Sequence, residues 1–480
     1  MKTISSLCPE CRKVVEARVY LDGGRILLDK TCPRHGRFQD VYWSDSRQFE
    51  RFESFRHEGE GIENPRTRED RGCPLDCGLC PGHKSTTLLA IVDVTNRCNL
   101  RCPVCFANSG VRGYVYEPTR DQIRAMLENV RNNRPLPTPA LQFSGGEPTL
   151  RPDLADLVAM ARDLGFLNIE VNTNGIRLAE SLDLCRSLKD AGLHTVYLQF
   201  DSPDAEVHRR IRGRDLVEIK RQAIENCRRA EIPSVVLVVT LIKGVNDGHL
   251  GEIIRYAAQN RDIIRCVNIQ PVAFTGRRPD EADRTGRITI PDVLALVEEQ
   301  TQGDIRASDF YPVPSVVPVA KAVGALKGEV FPEFTAHPHC GAGTYFFVED
   351  GRITAINRHV NVNKFLRSLG RISRTAAKGY RSLAGLMLLF SLRHVKIGML
   401  RRFLLPILRM GTFEALADFH FKVVLVSCMH FMDAWNFDGE RVRRCVIHYA
   451  VPDGRIIPFC AYNNLGYRDE VEHAFKTVRD

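Results

Sequence analysis

Between Thr87 and about Arg277, short apolar runs alternate with stretches of helical spacing. The first run, "TTLLAIVDVT", is continuous, rich in β-branched residues and as long as a buried strand. Further strands are predicted to end in "LQFSGGEPTL", "VNTNG" and "VYLQFDSP", and to run through "SVVLVVTLIKG" and "CVNIQPVAFTGR". Helical patterns such as "SLDLCRSLKDAG" and "QAIENCRRA" lie between them. Six strand–helix units in a row predict an α/β fold. Ahead of this region, "VVEARVYL", "DGG" and "RILLDKT" read as strand, tight turn and strand, a β-hairpin. Behind it, the chain returns to short strands interspersed with cysteines.

With 480 residues, 44% of them hydrophobic, the chain can bury a large core. No run reaches the ~18 to 20 apolar residues of a membrane span. The opening "MKTISSLCPECRK" has no apolar stretch of signal-peptide type. The expected compartment is the reducing cytoplasm, where clustered thiols serve as metal ligands or redox groups more often than as disulfides. Charge changes the picture at one place. The segment from Lys364 to Met410 holds eleven Lys/Arg and no Asp or Glu, which accounts for the net charge of +9. Arg367, Arg371, Arg374, Lys378 and Arg381 fall on one helical face, with Leu366, Leu369, Leu383, Leu386, Met387 and Leu388 nearby. A basic and greasy helix suits the headgroup layer of a membrane. An ordinary helical pair and a nucleic-acid contact are the alternatives, and the Leu, Met and Phe content makes nucleic acid the least favoured.

The sixteen cysteines sort by spacing. Cys8 and Cys11 before the hairpin, with Cys32 and His35 after it, can surround one tetrahedral iron or zinc ion. His35 is replaceable there by a thiol from elsewhere. The spacing C-x-x-x-C-x-x-C occurs twice, as Cys73/Cys77/Cys80 and as Cys98/Cys102/Cys105. The second triad follows the first long strand, in the loop that opens the mouth of a β/α barrel, where active sites sit. Three thiolates hold three irons of a [4Fe–4S] cluster and leave the fourth open to a ligand that is not protein. The first triad precedes that strand and reads as a second cluster, or as a zinc knuckle completed by His83 or another residue. Cys340, Cys428, Cys445 and Cys460 can ligate a third cluster, and Cys340 is the first candidate to complete the Cys73 triad instead. Cys185, Cys227 and Cys266 read as small packing residues.

"CNLRCPVC" after a first strand, followed by "GGEP", "VNTNG" and "VYLQFDSP" at later strand ends, resembles the radical S-adenosylmethionine (SAM) superfamily. That resemblance implies a partial (β/α)6 TIM-type barrel, with SAM chelating the open iron through its amino and carboxylate groups. It implies SAM contacts from Gly145, Gly146, Glu147, Asn172, Asn174, Gln199 and Asp201, with Glu147 accepting from the ammonium. One departure is Val104, where the family usually has an aromatic residue before the third cysteine.

The wider layout, with "CPEC…CPRHG", "CPLDCGLCPGHK" and "CMHFMDAWNFDGERVRRCVIHYAVPDGRIIPFCAYN", resembles the tetraether lipid synthases. Their likeness implies three [4Fe–4S] clusters, one mononuclear iron or zinc, and an electron donor such as ferredoxin or flavodoxin. It implies a 5′-deoxyadenosyl radical that activates C–H bonds to join lipid tails, with a long-chain lipid as partner and a place on the inner face of the membrane. A radical SAM methylase, a peptide-modifying enzyme ("PDGRIIPFC" resembles auxiliary-cluster elements of that group) and a zinc-dependent nucleic-acid-binding protein are the rival readings. The expected divisions are 1–60 (metal-binding hairpin domain), 61–86 (auxiliary cluster), 87–280 (barrel), 281–362 (connection), 363–412 (basic amphipathic insert) and 413–480 (Cys-rich auxiliary-cluster region).

Overall fold

The computed structural model describes residues 2–278, 286–349, 352–396, 398 and 423–477. Parts of the expected basic insert and C-terminal region, at 397, 399–422 and 478–480, lie outside the described residues. Strands β1 (Lys2–Leu7), β2 (Val14–Asp22), β3 (Arg25–Cys32) and β4 (Gly36–Trp43) form an antiparallel sheet in sequential order. The expected hairpin is its middle pair. Asp22 pairs with Arg25 across Gly23 and Gly24, both at positive φ, as a two-residue hairpin turn requires.

The large sheet begins with β5 (Leu89–Thr95). After a short β6 (Val115–Tyr116) come β7 (Ala140–Gly145), β8 (Asn168–Thr173), β9 (Thr195–Gln199), β10 (Ser234–Leu241) and β11 (Ile264–Pro271). The later strands are β12 (Tyr311–Pro312), β13 (Gly341–Glu349), β14 (Arg352–Ala355), β15 (Val424–Met429), β16 (Ile447–Ala450), β17 (Ile456–Pro458) and β18 (Lys476–Thr477). Their order is β12-β13-β15-β11-β10-β9-β8-β7-β5-β16-β17, with β14 on β13, while β18 pairs with β6. From β5 through β11 each strand of this sheet is parallel to its neighbours. The C-terminal region, expected as a separate unit, adds a parallel strand at each end of that run: β15 beside β11 and β16 beside β5.

Side chains alternate along these strands, as a period of two demands. Val92, Val94, Phe143, Val171, Leu198 and Val239 are buried in the main core, together with Leu157, Leu188, Ile253 and Val293 of the covering helices. Their neighbours in sequence, Gln142, Ser144, Glu170, Asn172, Tyr197 and Thr240, line an interior cavity. One face of the sheet is therefore a packed core and the other is a site.

The basic segment forms helices Val362–Ala377 and Arg381–Ser391, which pack with Val317–Lys327 through Ala322, Leu369, Ile372, Ala376 and Ala384. Arg367, Arg371 and Arg374 are exposed, as an ordinary amphipathic helix has them. Leu383, Leu386, Leu389 and Phe390 are also 51–65% exposed. Among the described residues no helix is long and apolar enough to cross a membrane.

The N-terminal sheet is fastened to the far end of the chain by buried polar bonds. Lys30 Nζ donates to Ser6 Oγ (3.1 Å) and to the carbonyls of Ala434 (2.6 Å) and Trp435 (2.8 Å). The Tyr42 hydroxyl donates to Asp438 (2.7 Å), and Arg287 bridges Asp40 and Asp433. Lys30→Met strands two buried carbonyls. It is expected to cost about 2–4 kcal/mol, read as a lower denaturant midpoint at unchanged m-value.

Candidate active site and metal centres

Cys98, Cys102 and Cys105 stand on the loop after β5 and line a cavity of about 320 Å³ at the ends of the parallel strands. The loop is fixed by several bonds. The Leu100 N–H points at Cys98 Sγ (3.4 Å), Cys105 and Arg277 exchange backbone bonds (2.8 and 2.9 Å), and Arg277 Nε donates to the Cys102 carbonyl (2.5 Å). Burial pushes the free Cys98 thiol up to about 12, helped by Glu147 and the neighbouring cysteines, and raises Cys102 as well. Three thiolates become stable in such a place only against a strong local positive charge, which an iron cluster supplies. The donor set fits three irons of a cluster.

Gly145 and Gly146 line the cavity and also have a role within the protein. A Cβ on Gly145 (φ +127°) would lie 2.1 Å from the Thr95 carbonyl oxygen, and one on Gly146 2.1 Å from that of Arg97. The close approach is to the start of the cysteine loop, sealed by Gly146 N–H to Thr95 O (2.6 Å) and Glu147 N–H to Arg97 O (2.8 Å). Glu147 is buried, and it too is engaged by protein. Its Oε1 accepts from the Thr149 N–H (3.1 Å) and the hydroxyls of Thr149 (2.6 Å) and Thr173 (2.7 Å), and its Oε2 from the Asn174 N–H (2.7 Å). The carboxylate ties the end of β7 to the end of β8, leaving acceptor capacity chiefly on Oε2.

Asn172, Asn174 and Gln199 line the cavity. Asn174 donates to Asn99 of the cysteine loop (2.7 Å), so it positions that loop as well. Asp201, expected to touch SAM, does not line the cavity. It is fully buried and takes Arg212 in a two-pronged ion pair (2.7 and 2.9 Å). Arg212 in turn donates to the Val104 carbonyl (3.1 Å) and the Thr240 hydroxyl (2.8 Å). Arg212 was not singled out in the sequence. Its signal was only that a buried Asp needs a buried cation. Lys220, also missed, is fully buried beneath the same turn and donates to the Asn174 carbonyl and to Gln199 Oε1 (2.9 Å). Burial brings its ammonium down to about 7.

Among the other thiols, Cys8, Cys11, Cys32 and His35 present ligand atoms within 4.8 Å of one another. Cys11 and Cys32 sulfurs are 3.9 Å apart, and His35 Nδ1 is 3.6 Å from Cys8 and 3.5 Å from Cys32. A tetrahedron with ~2.3 Å metal–sulfur bonds has edges of this length. Cys73, Cys77 and Cys80 line one small pocket with His83. His83, however, turns Nε2 to the Cys445 carbonyl (2.8 Å) and to His448 (3.2 Å). Cys340 stands with the C-terminal thiols, the first of the two groupings expected for it, and not with the Cys73 triad. Cys340, Cys445 and Cys460 lie within mutual electrostatic reach, and Arg441 Nε donates to Cys340 Sγ (3.5 Å). Burial pushes the Cys445 thiol up to about 12 and that of Cys460 to about 11. Cys428 belongs to neither set. Its side chain is on the outward side of β15, inside the main apolar core. Spacing had grouped it with the ligands, but strand alternation turns it away from them. Cys185 and Cys227 are buried in that same core, while Cys266 lies beside Ser427 (3.5 Å).

The cavity has two unlike sides. Gln142, Glu170, Tyr197, Asn268 and Gln270 make a polar floor, and Ile447, Tyr449, Phe431, Met432 and Phe459 make an apolar, largely aromatic wall. Residues 92–257 match the model of the radical SAM superfamily, and residues 1–44 that of the HMPTM N-terminal zinc ribbon domain. A 7,8-dihydro-6-hydroxymethylpterin dimethyltransferase from Methanocaldococcus jannaschii is 48% identical over 487 residues, covering 99% of this chain and 95% of the relative. The chain belongs to that family. It is a radical SAM enzyme, and a [4Fe–4S] cluster and SAM are implied for it. More distant are probable GTP 3′,8-cyclases of Methanothermobacter marburgensis (28% identical, 39% of this chain and 59% of the relative) and Thermococcus kodakarensis (30%, 37% and 56%).

The end-to-end match overturns the long-chain lipid partner expected from the cysteine layout, because that relative is named for a pterin. The layout of thiols reports which cofactors a chain can hold. It does not report the acceptor, and the likeness to tetraether lipid synthases rested on it.

Cys428→Ala is expected to leave the iron content of anaerobically purified enzyme at the wild-type level, and Cys460→Ala to lower it, both by elemental analysis. Gly146→Ala forces β7 and the cysteine loop apart. It should lose iron although every cysteine remains.

Proposed function

We propose that the enzyme is a radical SAM methylase that modifies a C–H position of a reduced pterin-type heterocycle. The observation that carries this reading is the two-sided cavity beside Cys98, Cys102 and Cys105: a polar floor for the edge of a ring system and an aromatic wall for its face. The relationship to a pterin dimethyltransferase along nearly the whole chain supports it. In this reading the large sheet is a partial barrel, with β15 and β16 covering its two open edges.

Cys98, Cys102 and Cys105 would hold the cluster that SAM approaches. When bound, cluster and SAM supply one-electron cleavage and hydrogen-atom abstraction, chemistry that no acid or base side chain can perform on an unactivated C–H bond. The chain's own residues do the positioning. Gly145 and Gly146 set the depth of the cysteine loop, Glu147 and Asn174 fix the strand ends around it, and the Asp201–Arg212 pair holds the Val104 carbonyl. Phe431, Tyr449 and Phe459 keep water from that side of the cavity. Cys73/Cys77/Cys80 and Cys340/Cys445/Cys460 are the groups for two further clusters, reduced by an external carrier such as ferredoxin or flavodoxin. Cys8, Cys11, Cys32 and His35 are the zinc ligands.

The test supplies the reconstituted enzyme, under anoxia, with SAM, reductant and either 7,8-dihydro-6-hydroxymethylpterin or phospholipid vesicles. The pterin is expected to raise 5′-deoxyadenosine formation and to gain methyl mass. Stimulation by vesicles with none by the pterin would remove the pterin reading.

A further inference from the structure

The polar floor holds groups whose hydrogen-bonding capacity the protein leaves unused. Glu170, on β8, accepts from Gln142 Nε2 (2.8 Å) and Asn168 Nδ2 (2.7 Å), one bond on each carboxylate oxygen. Two acceptor positions are left over, and its partners among the described residues are amides, without a cation. A carboxylate in a cavity without a countercharge is costly until donors reach it. That burial raises its proton affinity above the ordinary carboxylate range. On β11, Asn268 is 5% exposed. Its amide N–H side is engaged by the Tyr197 hydroxyl and by Met429 Sδ (3.2 Å), and its Oδ1 has no partner. Gln270 Nε2 also donates to the Tyr197 oxygen (2.9 Å). With two donors on that oxygen, the Tyr197 proton is free to be given away.

The unused set is thus two acceptors, Glu170 and Asn268 Oδ1, with one donor, Tyr197 O–H. In the lining of the same cavity, Phe459 stacks on Phe431 (4.2 Å between centroids) and on Tyr449 (5.5 Å). Tyr449 rests on Tyr462 (4.2 Å), with Arg468 beneath both rings. A flat ring lying on that wall would have its edge available to the floor residues that line the same cavity.

We propose that Glu170, Tyr197 and Asn268 read the 2-amino-4-oxo edge of the acceptor heterocycle. Glu170 and Asn268 accept from its ring N–H and exocyclic amino group, and Tyr197 donates to its carbonyl. The inference rests on the pterin reading and sharpens it, because it selects heterocycles of guanine-like edge over those without the amino group.

Wild-type enzyme is compared on 7,8-dihydro-6-hydroxymethylpterin and its 2-deamino counterpart, and Glu170→Gln on the same pair, with iron content checked for the variant. The wild type is expected to favour the amino compound in kcat/KM by about tenfold to a hundredfold, the span of a buried hydrogen bond to a charged group. Glu170→Gln should bring the two substrates within about threefold of each other by weakening the amino compound alone. Asn268→Leu should shrink the preference in the same direction. If the wild type turns over both compounds equally, or Glu170→Gln keeps the full preference, the edge assignment is wrong although the pterin reading stands. If neither compound is turned over by the wild type, the pterin reading itself has failed.

Discussion

A side chain on Gly146 would collide with the Arg97 carbonyl at 2.1 Å, and one on Gly145 with that of Thr95 at the same distance. The approach of two backbones that this pair permits decides where everything else in the site lies. β7 closes on the end of β5, the loop carrying Cys98, Cys102 and Cys105 is pressed into the mouth of the sheet, and Glu147 is swung to bridge β7 and β8. Glycine is needed here for protein-to-protein contact. The buried pair Asp201–Arg212 completes the arrangement from the opposite side by holding Val104.

The C-terminal strands bring a second constraint. β15 and β16 lie at opposite ends of the parallel run, so the segment between them must cross the opening. That crossing carries Phe431 and Met432 into the cavity, and it ends at Cys445. The same short stretch of chain therefore shapes one wall of the cavity and carries a thiol of the Cys340, Cys445 and Cys460 group. A change that refits one of these roles moves the other.

Much of this was legible beforehand. The six parallel strands announced themselves because buried strands need uninterrupted β-branched residues, and the cysteine loop followed from its place after the first of them. The polar floor was visible too, in the alternation of Gln142 with Phe143, Glu170 with Val171 and Tyr197 with Leu198, had that period been read as an inward face. Other features were hidden for physical reasons. Which way Cys428 points depends on strand register, and the partnership of Asp201 with Arg212 depends on a turn that only the folded chain makes. The acceptor was misjudged because a thiol layout and a basic, leucine-rich segment are conspicuous in one dimension, whereas the polar floor is assembled from side chains on four separate strands.

The bonds from Lys30 to Ala434 and Trp435 join positions some four hundred residues apart. During synthesis, Lys30 emerges long before its acceptors exist, so the ribbon cannot dock until nearly all of this sequence has left the ribosome. Docking of the N-terminal sheet is consequently a late event in the folding of this chain.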